Sequence, residues 1–330
     1  MDSSQCPHIA FFGECMVELS GTPLKKGFGG DTLNTALYLA RLTQKCGVKV
    51  SYATALGKDE LSQELLDAWQ QEGINTTLVA RIAGKLPGLY MVQTDEQGER
   101  HFHYWRDSAA VKHYFGGNEL NQLEQAIAEH DIQWLYISGI SLAILNDASR
   151  ARLLRAMSQF VANGGKVIFD NNFRPQLWSS EQAREWYGKV LPLVDIALIT
   201  EEDDWKVWGE QECVETRCLR FGCQEVVIKR GDKPCEVIEA RNEGVKRAQV
   251  PAVLVEYVVD TCSAGDSFAA GYLAGRLAGH DGEEAAKLGH QLASIVIQYA
   301  GAIIPNSAMV HIKPQTDRWL ENRNDSRNTQ

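Results

Sequence analysis

Residues 134–200 read WLYISGISLAILNDASRARLLRAMSQFVANGGKVIFDNNFRPQLWSSEQAREWYGKVLPLVDIALIT. Three short apolar runs, WLYISG, KVIFD and IALIT, alternate with two segments, Asp147 to Ala162 and Glu181 to Leu191, whose apolar side chains recur at helical spacing. Runs this short and this continuously apolar are the signature of strands covered by helices on both faces. The order strand, helix, strand therefore predicts a parallel sheet.

The same rhythm continues in both directions. Toward the C-terminus EVVIKRG adds a strand, and toward the N-terminus a helix is expected from about Glu119 to Glu129. Strands near Ile9 to Gly13 and Lys49 to Ala53 are followed by helices at about Thr32 to Arg41 and Leu61 to Gln71. The class read from this pattern is α/β with a doubly wound sheet. One segment departs from it: Leu86 to Arg106, LPGLYMVQTDEQGERHFHYWR, reads as a hairpin around the polar turn Asp95 to Gly98. Such a hairpin is a candidate lid over a substrate, a β-extension that serves as a subunit contact, or both.

A chain of 330 residues buries enough apolar surface to need no disulfide or metal. Its net charge of −10, with lysines and arginines dispersed, argues against a nucleic-acid-binding surface or a polybasic membrane patch, so small-molecule partners are expected. The start MDSSQCPHIAFFGECM lacks the features of a secretion signal, and no segment approaches the ~20 apolar residues of a membrane span, so a cytoplasmic protein is expected. Eight cysteines are scattered without a CxxC pair, and Cys213, Cys218, Cys223 and Cys235 have no zinc-site spacing, so reduced thiols are expected. The end of the chain, 319–330, is a polar tail.

Two stretches carry chemistry. In Val255 to Gly275, VEYVVDTCSAGDSFAAGYLAG, an apolar strand is expected to end at Asp260-Thr261, and a helix opens at Asp266 after a turn of small residues. The first amides of a helix are unpaired and the helix dipole favours an anion there, beside a carboxylate able to accept a proton. A turn selected only for close packing fits the same letters. In KKGFGGDTLNTALYLARL, Gly27, Gly29 and Gly30 precede Asp31 and Asn34, which suits a backbone approaching a hydroxylated ligand or, equally, an N-cap at Asp31 behind a flexible loop. A Walker A pattern is absent, and no G-x-G-x-x-G follows the first strand, which removes most support for a P-loop NTPase or a dinucleotide-dependent dehydrogenase.

These two stretches, in this order, resemble the ribokinase family of carbohydrate kinases, whose hallmark turn D-T-x-G-A-G-D stands here as Asp260-Thr261-Cys262-Ser263-Ala264-Gly265-Asp266. Ser263 replaces a glycine, a change expected to matter little if only its amide is used and to carry a cost if the position needs positive φ. The resemblance covers nearly the whole chain, through FGECMVELS, GFGGDTLNTA, LPGLY, YWR at Tyr104 to Arg106, LYISGISLAIL, GGKVIFDNNFRPQLW and VIQYAGAIIP. It implies a ribokinase-like three-layer sandwich with a mostly parallel central sheet and a small β-hairpin lid. The kinase domain would span 1–318, with the lid formed mainly by about 86–106 and nearby N-terminal strands.

The resemblance is strongest to family members acting on a sugar acid, and implies transfer of the γ-phosphoryl of ATP, with Mg2+, to the 6-hydroxyl of 2-keto-3-deoxygluconate. It makes Asp266 the base and the amides of Ser263, Ala264, Gly265 and Asp266 an anion hole. Arg106 and Arg174 would bind the substrate carboxylate, for which a planar guanidinium fork is suited. Gly30, Asn34, Tyr90 and Tyr104 would complete the sugar site. For ATP it implies Lys229, Gly231 and Asp232 in the turn VIKRGD, Asn172 facing the phosphates, and His290 on the adenine side unless that is an incidental helix histidine. The family's N-x-x-E metal motif appears only as Thr200-Glu201-Glu202-Asp203, so no direct metal ligand is assigned. A homo-oligomer, with a dimer through the open edge of the hairpin, is expected. Two alternatives remain open at this point: a kinase for a ketohexose or a nucleoside, and a silent sugar-binding protein of the same fold.

Overall fold

The structure, a computed structural model, describes residues 7–94, 100–241 and 244–312. In chain order its strands are β1 (His8–Phe12), β2 (Met16–Ser20), β3 (Lys25–Gly29), β4 (Lys49–Leu56), β5 (Val79–Arg81), β6 (Gly88–Thr94), β7 (Arg100–Trp105), β8 (Trp134–Ser138), β9 (Lys166–Asp170), β10 (Ile196–Thr200), β11 (Glu225–Lys229), β12 (Cys235–Arg241) and β13 (Gly244–Val250). The helices are α1 (Asp31–Thr43), α2 (Glu60–Gln71), α3 (Gln122–Ala128), α4 (Gly139–Ala143), α5 (Asp147–Ala162), α6 (Ser180–Val190), α7 (Glu201–Trp208), α8 (Val214–Phe221), α9 (Ala264–Leu277) and α10 (Gly282–Val296).

The apolar runs build a sheet in the order β13-β12-β11-β10-β9-β8-β1-β4-β5. Pairing is parallel from β11 through β5 and antiparallel only between β11, β12 and β13. Successive residues of one strand enter opposite cores. Ile9 and Phe11 of β1 pack with residues of α1, α2, α9 and α10, whereas Ala10 and Phe12 pack with residues of α3, α5 and α6. This is why the runs lack polar alternation: neither face meets water.

The helix opened by the hallmark turn, α9, is buried along most of its length. Its glycines allow that: a β-carbon at Gly271 would stand 2.8 Å from the Gly289 Cα, and one at Gly275 would stand 2.7 Å from the Ala285 Cα, so α10 lies directly against α9. The first turn of α9 is thereby held at the end of the sheet where β9, β10 and β11 terminate. Ligands of open α/β sheets bind outside those carboxyl ends.

A second sheet, β3-β2-β6-β7, forms the lid. The hairpin Leu86 to Arg106 supplies β6 and β7, and its turn Asp95 to Gly98 lies outside the described residues, as do Cys6 and the tail 319–330. The other half of the lid comes from Met16 to Gly29. The glycine stretch expected as a loop is therefore in large part a strand, since Gly27 and Gly29 belong to β3 and pair with Glu18 and Met16. The apolar strand expected before Asp260 is absent: 251–262 contains no strand, and Leu254 and Tyr257 are 86% and 72% exposed. This stretch is anchored at its end, where the amides of Val259 and Asp260 donate to the Ile297 carbonyl at 2.8 and 3.1 Å. None of the seven described cysteines forms a disulfide, and among the described residues no helix is long and apolar enough to cross a membrane.

Candidate active site

Asp260 builds the turn that starts α9. Its carboxylate accepts from the Cys262 amide at 2.9 Å and from the Gly301 amide at 2.8 Å, which locks the hallmark turn to the loop after α10. Ser263 then takes φ 64° and ψ 12° as the N-cap, so the sequence position does require the left-handed region. Gly265 and Asp266 enter the first helical turn, where amides have no intrahelical acceptor. The Ala264 amide is directed instead to the Thr261 carbonyl at 3.2 Å, so of these first amides it already has an acceptor.

Across the cleft, Gly30 is the N-cap of α1 with no side-chain cap bond, so Asp31 is the first helical residue and the alternative reading of Asp31 as an N-cap does not hold. Glycine is needed at position 30 by close approach: a β-carbon would collide with the Glu14 carbonyl oxygen. The first turn of α1 then presents Asp31 and Asn34. The Asn34 carboxamide donates to Oδ2 of Asp266 at 2.9 Å, and the Ser263 hydroxyl donates to the same oxygen at 2.9 Å. Asp31 accepts from Nδ2 of Asn172 at 2.7 Å. Asn172 is thus tied to the first turn of α1, with its backbone amide donating to Oδ1 of Asp170 at 3.3 Å.

Burial, reinforced by the nearby Asp31 and then Asp170 charges, pushes the Asp266 carboxyl up to about 7, against the opposing bonds from Asn34 and Ser263. Burial likewise raises Asp31. A carboxylate poised near neutrality is what a general base requires.

These groups line a cavity of about 830 Å3. Of the residues singled out from the sequence, Gly30, Asn34, Tyr90, Tyr104, Asn172, Arg174, Lys229, Gly231, Ser263, Ala264, Gly265 and Asp266 all reach its wall. The lid contributes an aromatic ladder, with ring centroids of Tyr90 and Tyr104 6.1 Å apart and of Phe102 and Tyr104 6.4 Å apart. Tyr90 is fixed by a bond from its hydroxyl to Glu18, its neighbour across the lid. Arg174 is half-exposed on the cavity wall, its Nη1 donating to the Phe173 carbonyl at 3.1 Å and lying 3.4 Å from Oδ2 of Asp203. Lys229, at the end of β11, bonds Asp170 at 2.6 Å, and Gly231 turns the chain beyond it at φ 63°.

Three predicted residues stand elsewhere. Arg106 does not reach the cavity wall: it pairs with the buried Glu14 and lies 5.8 Å from the ring centroid of Tyr104. Burial raises the Glu14 carboxyl against that pairing, and both Oε1 of Glu14 and Nε of Arg106 lack a hydrogen bond among the described residues. Asp232 is exposed beside the cavity but not on its wall. His290 is buried against Phe268, ring centroids 4.9 Å apart, with Nε2 unpartnered among the described residues and its pKa lowered by burial.

Sequence reading passed over Asp170 and Glu14. Asp170 ends β9, where it accepts from Lys229 and, at 3.2 Å, from Tyr136. Its place as the last letter of KVIFD was the available signal, since side chains at the carboxyl ends of parallel strands face the ligand crevice. Glu14 carried no such signal, because its role depends on Arg106, 92 residues away.

An amide-lined helix start, a lysine and a carboxylate near neutrality, closed by an aromatic lid, define a site for transferring an anionic group to a hydroxylated small molecule. The comparisons with known proteins agree. Residues 7–309 match the model of the pfkB family of carbohydrate kinases, and the chain belongs to that family. The 2-dehydro-3-deoxygluconokinase of Dickeya dadantii (strain 3937) is 50% identical over 309 residues, covering 92% of this chain and 98% of its own. Among solved structures, a PfkB protein from Polaromonas sp. JS666 matches with a TM-score of 0.76 at 26% identity, over 89% of this chain and 96% of its own. A fructokinase from Xylella fastidiosa, solved with bound ATP, matches with a TM-score of 0.73 over 97% of this chain and 99% of its own; at 22% identity that likeness speaks for the fold alone.

Proposed function

We propose that this chain phosphorylates 2-dehydro-3-deoxygluconate, a 2-keto sugar acid, at its 6-hydroxyl with ATP as donor. The observation that carries the reading is 50% identity to a 2-dehydro-3-deoxygluconokinase over 98% of that protein. The cavity chemistry fits it. Asp266 takes the proton of the attacking hydroxyl, Asn34 and Asp31 orient the sugar hydroxyls, and the tyrosines of the lid cover the carbon skeleton. The amides of Gly265 and Asp266, with Lys229, receive the charge that builds on the transferring phosphoryl group. Arg174 meets the carboxylate of the acid from the cavity wall. Arg106 stands behind Tyr104, in reach of the same carboxylate only after exchanging its bond to Glu14.

The donor set suits Mg2+ that arrives on the nucleotide. Among the described residues no three carboxylate, histidine or cysteine groups converge on one point, so these residues form no cage of their own. An ion that keeps its waters and binds mainly to phosphates needs only one or two carboxylates. Asp203, in the first turn of α7 on the cavity wall, would hold it through water. The chemistry the ion would supply there is neutralisation of charge on the phosphates.

A coupled assay of ADP release over a panel of sugars and sugar acids tests the reading. Turnover is expected on 2-dehydro-3-deoxygluconate, and strong turnover confined to neutral sugars or nucleosides would end it.

A further inference from the structure

Ser263 and His130 are the only described non-glycine residues with positive φ. A β-carbon in the left-handed region is strained, and such strain persists where the surroundings compensate it. Here the compensation is specific. The Ser263 hydroxyl donates to Oδ2 of Asp266 at 2.9 Å, and the Asn34 carboxamide donates to the same oxygen at 2.9 Å. No hydrogen bond reaches Oδ1 of Asp266 among the described residues. The two carboxylate oxygens are thereby made unequal.

The groups facing this carboxylate come from several elements. Asp31 and Tyr38 lie on α1, Tyr136 on β8, and Asp170 with its partner Lys229 at the ends of β9 and β11. Most of them disfavour a second negative charge. Only Asn34 and Ser263 bond the ionised form directly.

We propose that Ser263 is a positioning residue for phosphoryl transfer, its hydroxyl fixing Oδ2 of Asp266 as an acceptor of protein hydrogen bonds and leaving Oδ1 to take the substrate proton. The inference rests on the reading of Asp266 as the base. In the step it serves, the substrate O–H bond breaks with its proton passing to Oδ1. The freed oxygen bonds the γ-phosphorus as the bond from that phosphorus to the leaving ADP breaks. A hydroxyl that favours the ionised carboxylate keeps the base available at lower pH, so position 263 uses more than its amide and the condition under which glycine there would change little is not met.

The test measures the pH profile of kcat/KM for wild type, Ser263→Gly, Ser263→Ala and Asp266→Asn, with thermal unfolding alongside. Glycine and alanine both remove the hydroxyl, but only glycine relieves the strain. The proposal expects the rising limb to move up by about one pH unit in both, as loss of one charge-assisted hydrogen bond implies. The ratio of wild-type to variant kcat/KM would then be about eightfold larger near pH 6 than near pH 9. Thermal stability is expected to separate the two variants, glycine being the more stable. Profiles that superimpose on wild type, or a limb that moves in only one variant, would overturn the role of the hydroxyl while Asp266→Asn stays inactive. An Asp266→Asn protein that keeps both its turnover and the limb would overturn the base itself, and this inference with it.

Discussion

The carboxamide of Asn34 donates to Oδ2 of Asp266 over 2.9 Å, joining two residues 232 positions apart in the chain. That bond ties the first turn of α1 to the first turn of α9, so the glycine-flanked N-terminal stretch and the C-terminal hallmark form one site. Asp31, three residues before Asn34, is close enough to help raise the Asp266 carboxyl. The helix that orients the base thus also tunes it.

Asp266→Asn keeps the shape of that contact and removes the proton acceptor. kcat is expected to fall by about 10² to 10⁴-fold, the usual contribution of one general base. Calorimetric binding of a non-hydrolysable ATP analogue is expected to stay within a few-fold of wild type, because the α9 amides and Lys229 are unchanged.

The pH dependence follows from the same carboxylate. With Asp266 pushed up to about 7, the free enzyme below that pH holds its base protonated. A plot of kcat/KM against pH, which reports free-enzyme groups, is expected to rise and bend near 7 rather than near the ordinary carboxylate value.

Stability is expected to run the opposite way. A carboxyl whose folded-state pKa is raised favours the fold while protonated, and that contribution is lost as pH climbs from the ordinary carboxylate range through about 7. Asparagine carries no such loss. Asp266→Asn is therefore expected to melt at about the wild-type temperature near pH 4 and several degrees above it near pH 8, checked by calorimetry in matched buffers.

Arg106 and Glu14 separate packing from recognition. Arg106→Ala leaves a buried carboxylate without its partner and is expected to cost about 3–5 kcal/mol of stability by denaturant titration. The double variant Arg106→Ala with Glu14→Gln is expected to recover most of that loss. KM for the acid is expected to stay about 10- to 100-fold high in both, the size of one lost charge-assisted contact. Recovery of KM along with stability would show that Arg106 serves the fold alone.

The parallel sheet was legible because its strands are buried on both faces, which leaves an unmistakable run of apolar letters. The lid was only half legible: β6 and β7 alternate as an exposed hairpin does, but KKGFG looks like a loop because two glycines replace the side chains that mark a strand. The apolar letters of VLVEYVV misled for the converse reason, since apolar residues make a strand only where a neighbouring strand accepts their amides. Within the site, residues drawn from local motifs came together on one cavity, Ser263 to Asp266 foremost. Asp170, Glu14 and the ion pair of Arg106 depend on contacts between distant segments, which no local pattern encodes. The left-handed backbone of Ser263 was foreseeable only as a condition, and the geometry met that condition.

The central claim is tested most directly by incubating the protein with ATP, Mg2+ and 2-dehydro-3-deoxygluconate and locating the phosphate by ³¹P and ¹³C NMR, with fructose as the parallel substrate. The account predicts phosphate on C6 of the acid and a far higher kcat/KM for it than for fructose. No product from the acid, with efficient phosphorylation of fructose by the same preparation, would contradict it.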